Sequence, residues 1–206
     1  MTIAIIDYGV GNLRSVEKAF HAGDVEAVVS ADAEVLRAAD KLVLPGVGAF
    51  RACMEALTGH GFDRLVRERV EEGTPLLGVC VGMQMLFEES EEFGTTRGLG
   101  FLRGRVRRFP EGLHVPQVGW NQVGWQGGHA LSEGISDRTF FYFVHSFFCE
   151  SDDETAVVGE TEYGLSYASV VARGNVCGVQ FHPEKSQTAG LRLLKNFAEG
   201  AIDDGR

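Results

Sequence analysis

The sequence predicts an α/β fold: an open, mostly parallel (mixed) central sheet flanked by helices, with an antiparallel strand extension. Three observations carry this. Over the first ninety residues, short apolar runs alternate with segments of helical spacing. Those runs are apolar throughout rather than at every second residue, as strands buried on both faces require. From Leu99 to about Gly178 the text turns to β-branched and aromatic residues punctuated by glycine, which reads as strands joined by short turns.

Each element follows in order. "IAIIDYG" (3–9) is an apolar run closed by a turn signal. "NLRSVEKAFHAG" (12–23) places Leu13, Val16 and Phe20 on one helix face and stops at Gly23. "VEAVVS", a short helical stretch and "KLVLPG" (41–46) come next. A longer helical segment runs from Phe50 to Glu72, broken near "TGHG". "PLLGVC" is the next strand, and "GMQMLFEES" takes the helical place in the alternation. "VPQVGWNQVGW", "TFFYFVHSFF", "TAVVGET" and "LSYASVVARGNVCGVQF" are the strands of the second half. "TAGLRLLKNFAEGAI" closes the chain as a helix with Leu191, Leu194 and Phe197 on one face and Ala198 beside them. Without a repeat, linker or low-complexity segment, a single domain over residues 1–206 is expected.

Composition narrows the function classes. A chain of 206 residues with 44% hydrophobic and 23% charged residues can bury roughly 70% of its unfolded surface without a disulfide or metal staple. A net charge of −10 argues against nucleic acid as a partner, because phosphate binding rests on Lys and Arg. The one basic cluster, "RGRVRRF" (103–109), alternates like a strand with a solvated face, a local docking patch being the other reading. Cys53, Cys80, Cys149 and Cys177 form no C-x-x-C pair, so free thiols are expected, with neither zinc nor disulfides. "MTIAIIDYG" lacks the regions of a signal peptide, and no apolar stretch reaches the ~18 residues of a membrane span. The expected setting is the cytoplasm, with no membrane partner.

Two glycine-rich loops invite a cofactor and do not support one. "YGVGNLR" has Arg14 where a dinucleotide fingerprint needs a small residue, and "PGVGAFR" fails likewise at Arg51. Tight strand-to-helix turns account for both, and no cofactor is expected.

Gly78-Val79-Cys80-Val81-Gly82 has the form G-x-nucleophile-x-G, after a predicted strand and before a helical segment. Such a turn lifts the central side chain above the sheet edge, and the amides that open the next helix favour a thiolate. A buried structural cysteine fits the pentapeptide equally well. A thiol nucleophile also needs a base. Of the six histidines, His21, His60 and His129 are expected at the surface, while His114 and His145 are unassigned. His182, in "VQFHPEKS", sits where Pro183 stops an apolar strand, and Glu184 two residues on can hold one ring nitrogen. Elbow and base together favour catalysis over packing. The Val81 amide is one oxyanion donor, and "PGVG" (45–48), with Val47 and Gly48, ends another strand from which a second amide can approach.

"PGVGAF", "GVCVGMQ" and "QFHPEKS" together resemble class I (triad) glutamine amidotransferases. The finer wording, "IDYGVGNLRSV", "VPQVGWN", "FYFVHSFF" and "GVQFHPEKS", is similar to the branch of that family serving imidazole glycerol phosphate synthases, and spans nearly the whole chain. The resemblance implies that Cys80 attacks the side-chain amide of glutamine, His182 transfers the proton and Glu184 orients the ring. It implies glutamine binding by Gly48, Gln84, Glu92, Ser146 and Phe147. It also implies a heterodimer with a (βα)8 barrel synthase that receives ammonia, with Asn12, Trp120, Tyr142 and Lys185 on the docking face. Two positions depart from the pattern: Phe147 stands where a Tyr is common, and Gln117 stands where many members have His. The competing expectations are another triad glutaminase or γ-glutamyl hydrolase, and a glutaminase-like scaffold without turnover.

Overall fold

A computed structural model describes residues 1–202 of the chain; the last four residues of the single-domain span expected over 1–206 lie outside it. The central sheet begins with β1 (Ile3–Ile6), β2 (Ala27–Ser30), β3 (Lys41–Gly46) and β4 (Leu76–Cys80), joined later by β13 (Val176–Val179). These five strands run parallel in the order β2-β1-β3-β4-β13. Every residue of β1, β3, β4 and β13 is buried, which is why their text is apolar without alternation. Helices α1 (Leu13–Ala22), α2 (Ala33–Ala38), α3 (Phe50–Gly59), α4 (Phe62–Glu71) and α6 (Gln187–Glu199) flank the sheet. The break near "TGHG" is real: Gly61 adopts φ +72° between α3 and α4.

Beyond β13 the sheet changes sense. It continues antiparallel through β12 (Ser166–Arg173), β10 (Phe147–Ser151) and β7 (Leu102–Arg108), then through β5 (Phe87–Ser90), parallel to β7, to β6 (Thr96–Arg97). From β12 a branch runs through β11 (Val157–Glu162) to a ribbon of β8 (Gln117–Trp125) and β9 (Thr139–His145). The basic cluster lies on β7, where burial alternates as the spacing predicts, and Arg105 and Arg107 share Glu150 of β10. The inner face of the ribbon is aromatic, with the Phe141 and Phe181 rings 4.1 Å apart and Phe143 edge-on to Phe181.

Three expectations shift. "GMQMLFEES" is not one helix: α5 spans only Val81–Gln84, and Phe87–Ser90 are strand β5. A run with buried Met83, Met85, Leu86 and Phe87 is apolar on every side, so periodicity cannot separate the two states. On α6, Leu193 is fully buried while Leu191 is only partly so, because the helix is also covered by the turn at 130–135. His129 is not a plain surface residue; its ring is half-buried and accepts from the Leu131 amide at the start of that turn.

Buried Asn196 fixes the seating of α6 by donating to the carbonyls of Leu131 and Glu133 at 3.0 and 2.7 Å. Asn196→Ala takes the side-chain donor from the Leu131 carbonyl and leaves the Glu133 carbonyl with Arg192 alone, and the expected loss is about 2 kcal/mol, measured by urea titration with an unchanged m-value.

Candidate functional site

The site is built where the turn after β4 crosses β3. A Cβ on Gly82 would lie 1.8 Å from the Leu44 carbonyl oxygen, and one on Gly78 would lie 2.6 Å from the Gly82 carbonyl oxygen. Both glycines are therefore demanded by close backbone approach. Packed this tightly, the chain reverses through Cys80 itself, which takes φ +57° and ψ −115°, a region a non-glycine residue rarely enters. This is the strained geometry of a nucleophile elbow. Cys80 is 3% exposed, its Sγ 4.0 Å from the Val144 carbonyl oxygen.

His182 follows the end of β13, the neighbour of β4, where Pro183 opens a short 3-10 turn. Its Nδ1 lies 2.9 Å from Glu184 Oε1, and both side chains are almost wholly buried. Burial opposes a charge on the ring. Hydrogen bonds to the Cys80 sulfur and the Glu184 carboxylate, reinforced by negative charge on each, outweigh it and raise the imidazole from 6.5 to about 10. The three side chains thus form one coupled chain from sulfur to carboxylate.

A cavity of about 380 Å³ opens over the sulfur. Val47, Gly48, Cys80, Val81, Gln84, Glu92, Ser146, Phe147, His182 and Lys185 all line it, so residues up to 138 positions apart in sequence meet at the carboxyl ends of β3 and β4. Glu184 stands behind His182 and does not line it. Gln84 Nε2 donates to the Phe147 carbonyl and to Gln180 Oε1, both at 3.1 Å. Glu92 has left the solvated acidic run: its Oε2 accepts from the Phe50 amide at 2.6 Å, at the start of α3. A carboxylate there also suits the positive end of a helix.

Trp120 and Tyr142 lie outside the cavity and meet Lys185 at its rim. Trp120 packs edge-on to Tyr142 at 5.9 Å, and Lys185 Nζ lies 5.8 Å from the centre of the Tyr142 ring. Asn12 is exposed at the start of α1, which packs on the turn carrying Lys185. Cross-strand pairing puts Val118, Trp120, Phe140 and Tyr142 on the same outer face of the β8–β9 ribbon. Val118, Trp120 and Phe140 are each roughly half exposed.

Several contributors escaped the sequence. The Tyr8 hydroxyl donates to the Pro45 carbonyl at 2.5 Å, and the Cys53 thiol donates to the Val47 carbonyl at 3.3 Å, so both ends of the "PGV" segment are anchored from beneath. Burial pushes the Cys53 thiol up, which keeps it a donor. His145, left unassigned, is buried against the cavity. Their partners lie 2 to 37 residues away, and only the adjacency of His145 to Ser146 gave any local signal.

The family model for "Glutamine amidotransferase class-I" matches residues 4–201. The chain is 48% identical over 204 residues to the imidazole glycerol phosphate synthase subunit HisH of Geobacter metallireducens, covering 96% of this chain and 97% of that one. It is 50% identical over 197 residues to the HisH subunit of Moorella thermoacetica, covering 96% and 94%. A solved glutamine amidotransferase shares the fold with a TM-score of 0.75 at 24% identity, covering 95% and 96%.

Two outcomes test this geometry. Gly82→Ala is expected to cost about 3 kcal/mol or more of unfolding free energy, because the clash is with backbone; an urea midpoint unchanged from the native chain would refute the close approach. Because the folded His182 value is raised, its contribution to stability is complete below about pH 6.5 and is lost as pH rises through about 10. An NMR titration of the ring is expected to show that midpoint, and Cys80→Ala to lower it by about one pH unit or more.

Proposed function

We propose, from the premise that the chain belongs to the class-I glutamine amidotransferase family, that it is the glutaminase subunit of an imidazole glycerol phosphate synthase. It hydrolyses glutamine to glutamate and ammonia, and the ammonia serves histidine biosynthesis. The observation that carries this reading is the meeting of the strained Cys80 with the His182–Glu184 pair over one cavity. The chain's near-50% identity to HisH subunits supports it.

In this reading glutamine lies in the cavity with its side-chain amide over Cys80 Sγ. Its α-amino group faces Glu92 and Gln84, and its α-carboxylate meets the backbone at Ser146 and Phe147. Phe147 has no phenol hydroxyl, so any contact there comes from the main chain. His182 is an imidazolium below about pH 10, so Sγ attacks the amide carbon with its proton already on His182 Nε2, while Glu184 holds the proton on Nδ1. Charge develops on the amide oxygen and is taken by the amides of Val81 and of the "PGVG" loop. With the Pro45 and Val47 carbonyls both anchored, the Gly46–Val47 peptide between them is the one that turns, which makes the Val47 amide the second donor. The imidazolium then protonates the departing nitrogen, and ammonia leaves a thioester. Water, activated by the same ring, attacks the thioester and releases glutamate and the thiol.

Ammonia released into bulk water would protonate and lose its nucleophilicity, so a partner must cover the outlet. The outer face of the β8–β9 ribbon, with Trp120, Phe140 and Val118 exposed and Tyr142, Lys185 and Asn12 beside it, is the docking surface for a (βα)8 barrel synthase. The buried free thiols suit a cytoplasmic setting.

The purified chain is expected to release glutamate slowly, and at least 100-fold faster when mixed with the barrel synthase and its nucleotide ligand, roughly 3 kcal/mol of barrier and the worth of one oxyanion donor. Full activity without the partner would defeat the turning peptide while leaving the triad standing. Cys80→Ala is expected to abolish turnover and covalent labelling by an electrophilic glutamine analogue, followed by mass spectrometry; labelling that persists would place the nucleophile elsewhere. Trp120→Ala is expected to weaken the complex by about tenfold or more, read by titration calorimetry.

A further inference from the structure

Beneath the cavity wall, four polar groups from four strands, β8, β9, β10 and β12, form a line. His145 Nδ1 lies 2.8 Å from the Phe147 carbonyl oxygen, and His145 Nε2 lies 3.2 Å from the Tyr167 hydroxyl. That hydroxyl lies 3.0 Å from the carboxamide of Gln117. His145, Tyr167 and Gln117 are 6%, 3% and 3% exposed, so none can borrow a partner from bulk solvent.

The donors and acceptors on this line decide its direction. A carbonyl oxygen only accepts, so the 2.8 Å contact requires the proton on Nδ1. Burial, outweighing the bond to Phe147 and aided by nearby His182, lowers the His145 imidazole to about 4, so the ring is neutral and Nε2 carries a lone pair. Tyr167, its phenol pushed up by burial, must then give its single proton to Nε2. A hydroxyl that has spent its proton can only accept from Gln117, so the carboxamide, drawn with Oε1 toward the hydroxyl, must be turned about to present its NH2 group there. The two ends of an amide differ little in shape, and the far end of Gln117 makes no other hydrogen bond among the described residues, so nothing opposes that orientation. The reverse direction would set a ring lone pair against a carbonyl lone pair at 2.8 Å in a buried site.

We propose that His145, Tyr167 and Gln117 are positioning residues: a one-way relay, from the Gln117 amide through the Tyr167 hydroxyl and the His145 ring to the Phe147 carbonyl, fixes the backbone that receives the α-carboxylate of glutamine. This rests on the glutaminase reading for the identity of the ligand. The same carbonyl is held from its other side by Gln84, so it is locked by two donors and the Ser146–Phe147 segment is set before substrate arrives. The departure at position 117 thereby acquires a physical content. Gln117 supplies the N–H that starts the relay, and it adds no second titrating group beside His145.

The test has two arms. Long-range 1H–15N NMR of the histidine-labelled chain reads the tautomer without any assay of activity. The expected pattern for His145 is a pyrrole-type nitrogen at Nδ1 and a pyridine-type nitrogen at Nε2; the opposite pattern, or two pyrrole-type nitrogens, overturns the relay even if the chain is a glutaminase. In the complex with the synthase, Tyr167→Phe leaves Nε2 without a donor. It is expected to raise the KM for glutamine about tenfold, the equivalent of one hydrogen bond, with kcat within about threefold. Gln117→Met removes the N–H at the head of the relay while Tyr167 still donates to Nε2, and is expected to raise KM about threefold, a smaller loss than Tyr167→Phe gives. An unchanged KM in Tyr167→Phe, or an equal loss in both variants as general loosening would give, overturns the positioning role. With the predicted tautomer and no glutamine turnover in the native complex, the relay would stand and the glutaminase reading would fall.

Discussion

The Leu44 carbonyl occupies the place where a side chain on residue 82 would begin. That contact between the backbone of β3 and the turn after β4 is the constraint on which the rest of the site depends. Because the two backbones touch, residue 82 must be glycine; the turn then folds back on residue 78, which must be glycine too, and the reversal between them falls on Cys80 at positive φ. The strain of order 1–3 kcal/mol that such a conformation carries is held by fully buried parallel strands on either side. A looser turn would relax the cysteine and lower its sulfur back toward the sheet.

From that fixed point the remaining groups arrive through the strand order. β13 lies beside β4, so the chain that leaves it delivers His182 to the sulfur without a long loop. β3 lies on the other side of β4, so the "PGVG" segment meets the elbow from the opposite flank. Base and oxyanion loop are thus spatial neighbours of the nucleophile because their strands are its sheet neighbours. The antiparallel half then closes the cavity where β9 passes into β10, bringing His145, Ser146 and Phe147.

How much of this the residues disclosed depends on whether the signal was local. The alternation of β1, α1, β2, α2, β3, α3 and α4 was legible because each element carries its own period and stop. The elbow and the His-Pro-Glu were legible because their chemistry lies within five residues. "GMQMLFEES" was misread, since burial on all sides erases the period that separates one turn of helix from a strand. Leu193 was missed in favour of Leu191 because the turn at 130–135 covers a second face of α6. Tyr8, Cys53 and Tyr167 were invisible for a different reason. The partners of Tyr8 and Tyr167 lie 37 and 22 residues away and that of Cys53 six, and a buried tyrosine or cysteine in an apolar run looks like packing until its partner is seen.

Glu92 is a carboxylate with two claims on it. One oxygen holds the Phe50 amide at the start of α3, immediately beyond the loop that leaves β3, and the group also faces the cavity. An amine drawn to that carboxylate therefore competes for the same negative charge that steadies the first turn of a helix. Whatever tightens or loosens the one is felt by the other, so occupancy of the cleft and the footing of the oxyanion loop are tied through a single side chain. Substituents at position 92 would consequently move binding and loop together, and the two could drift apart in evolution only if another group took over the helix end.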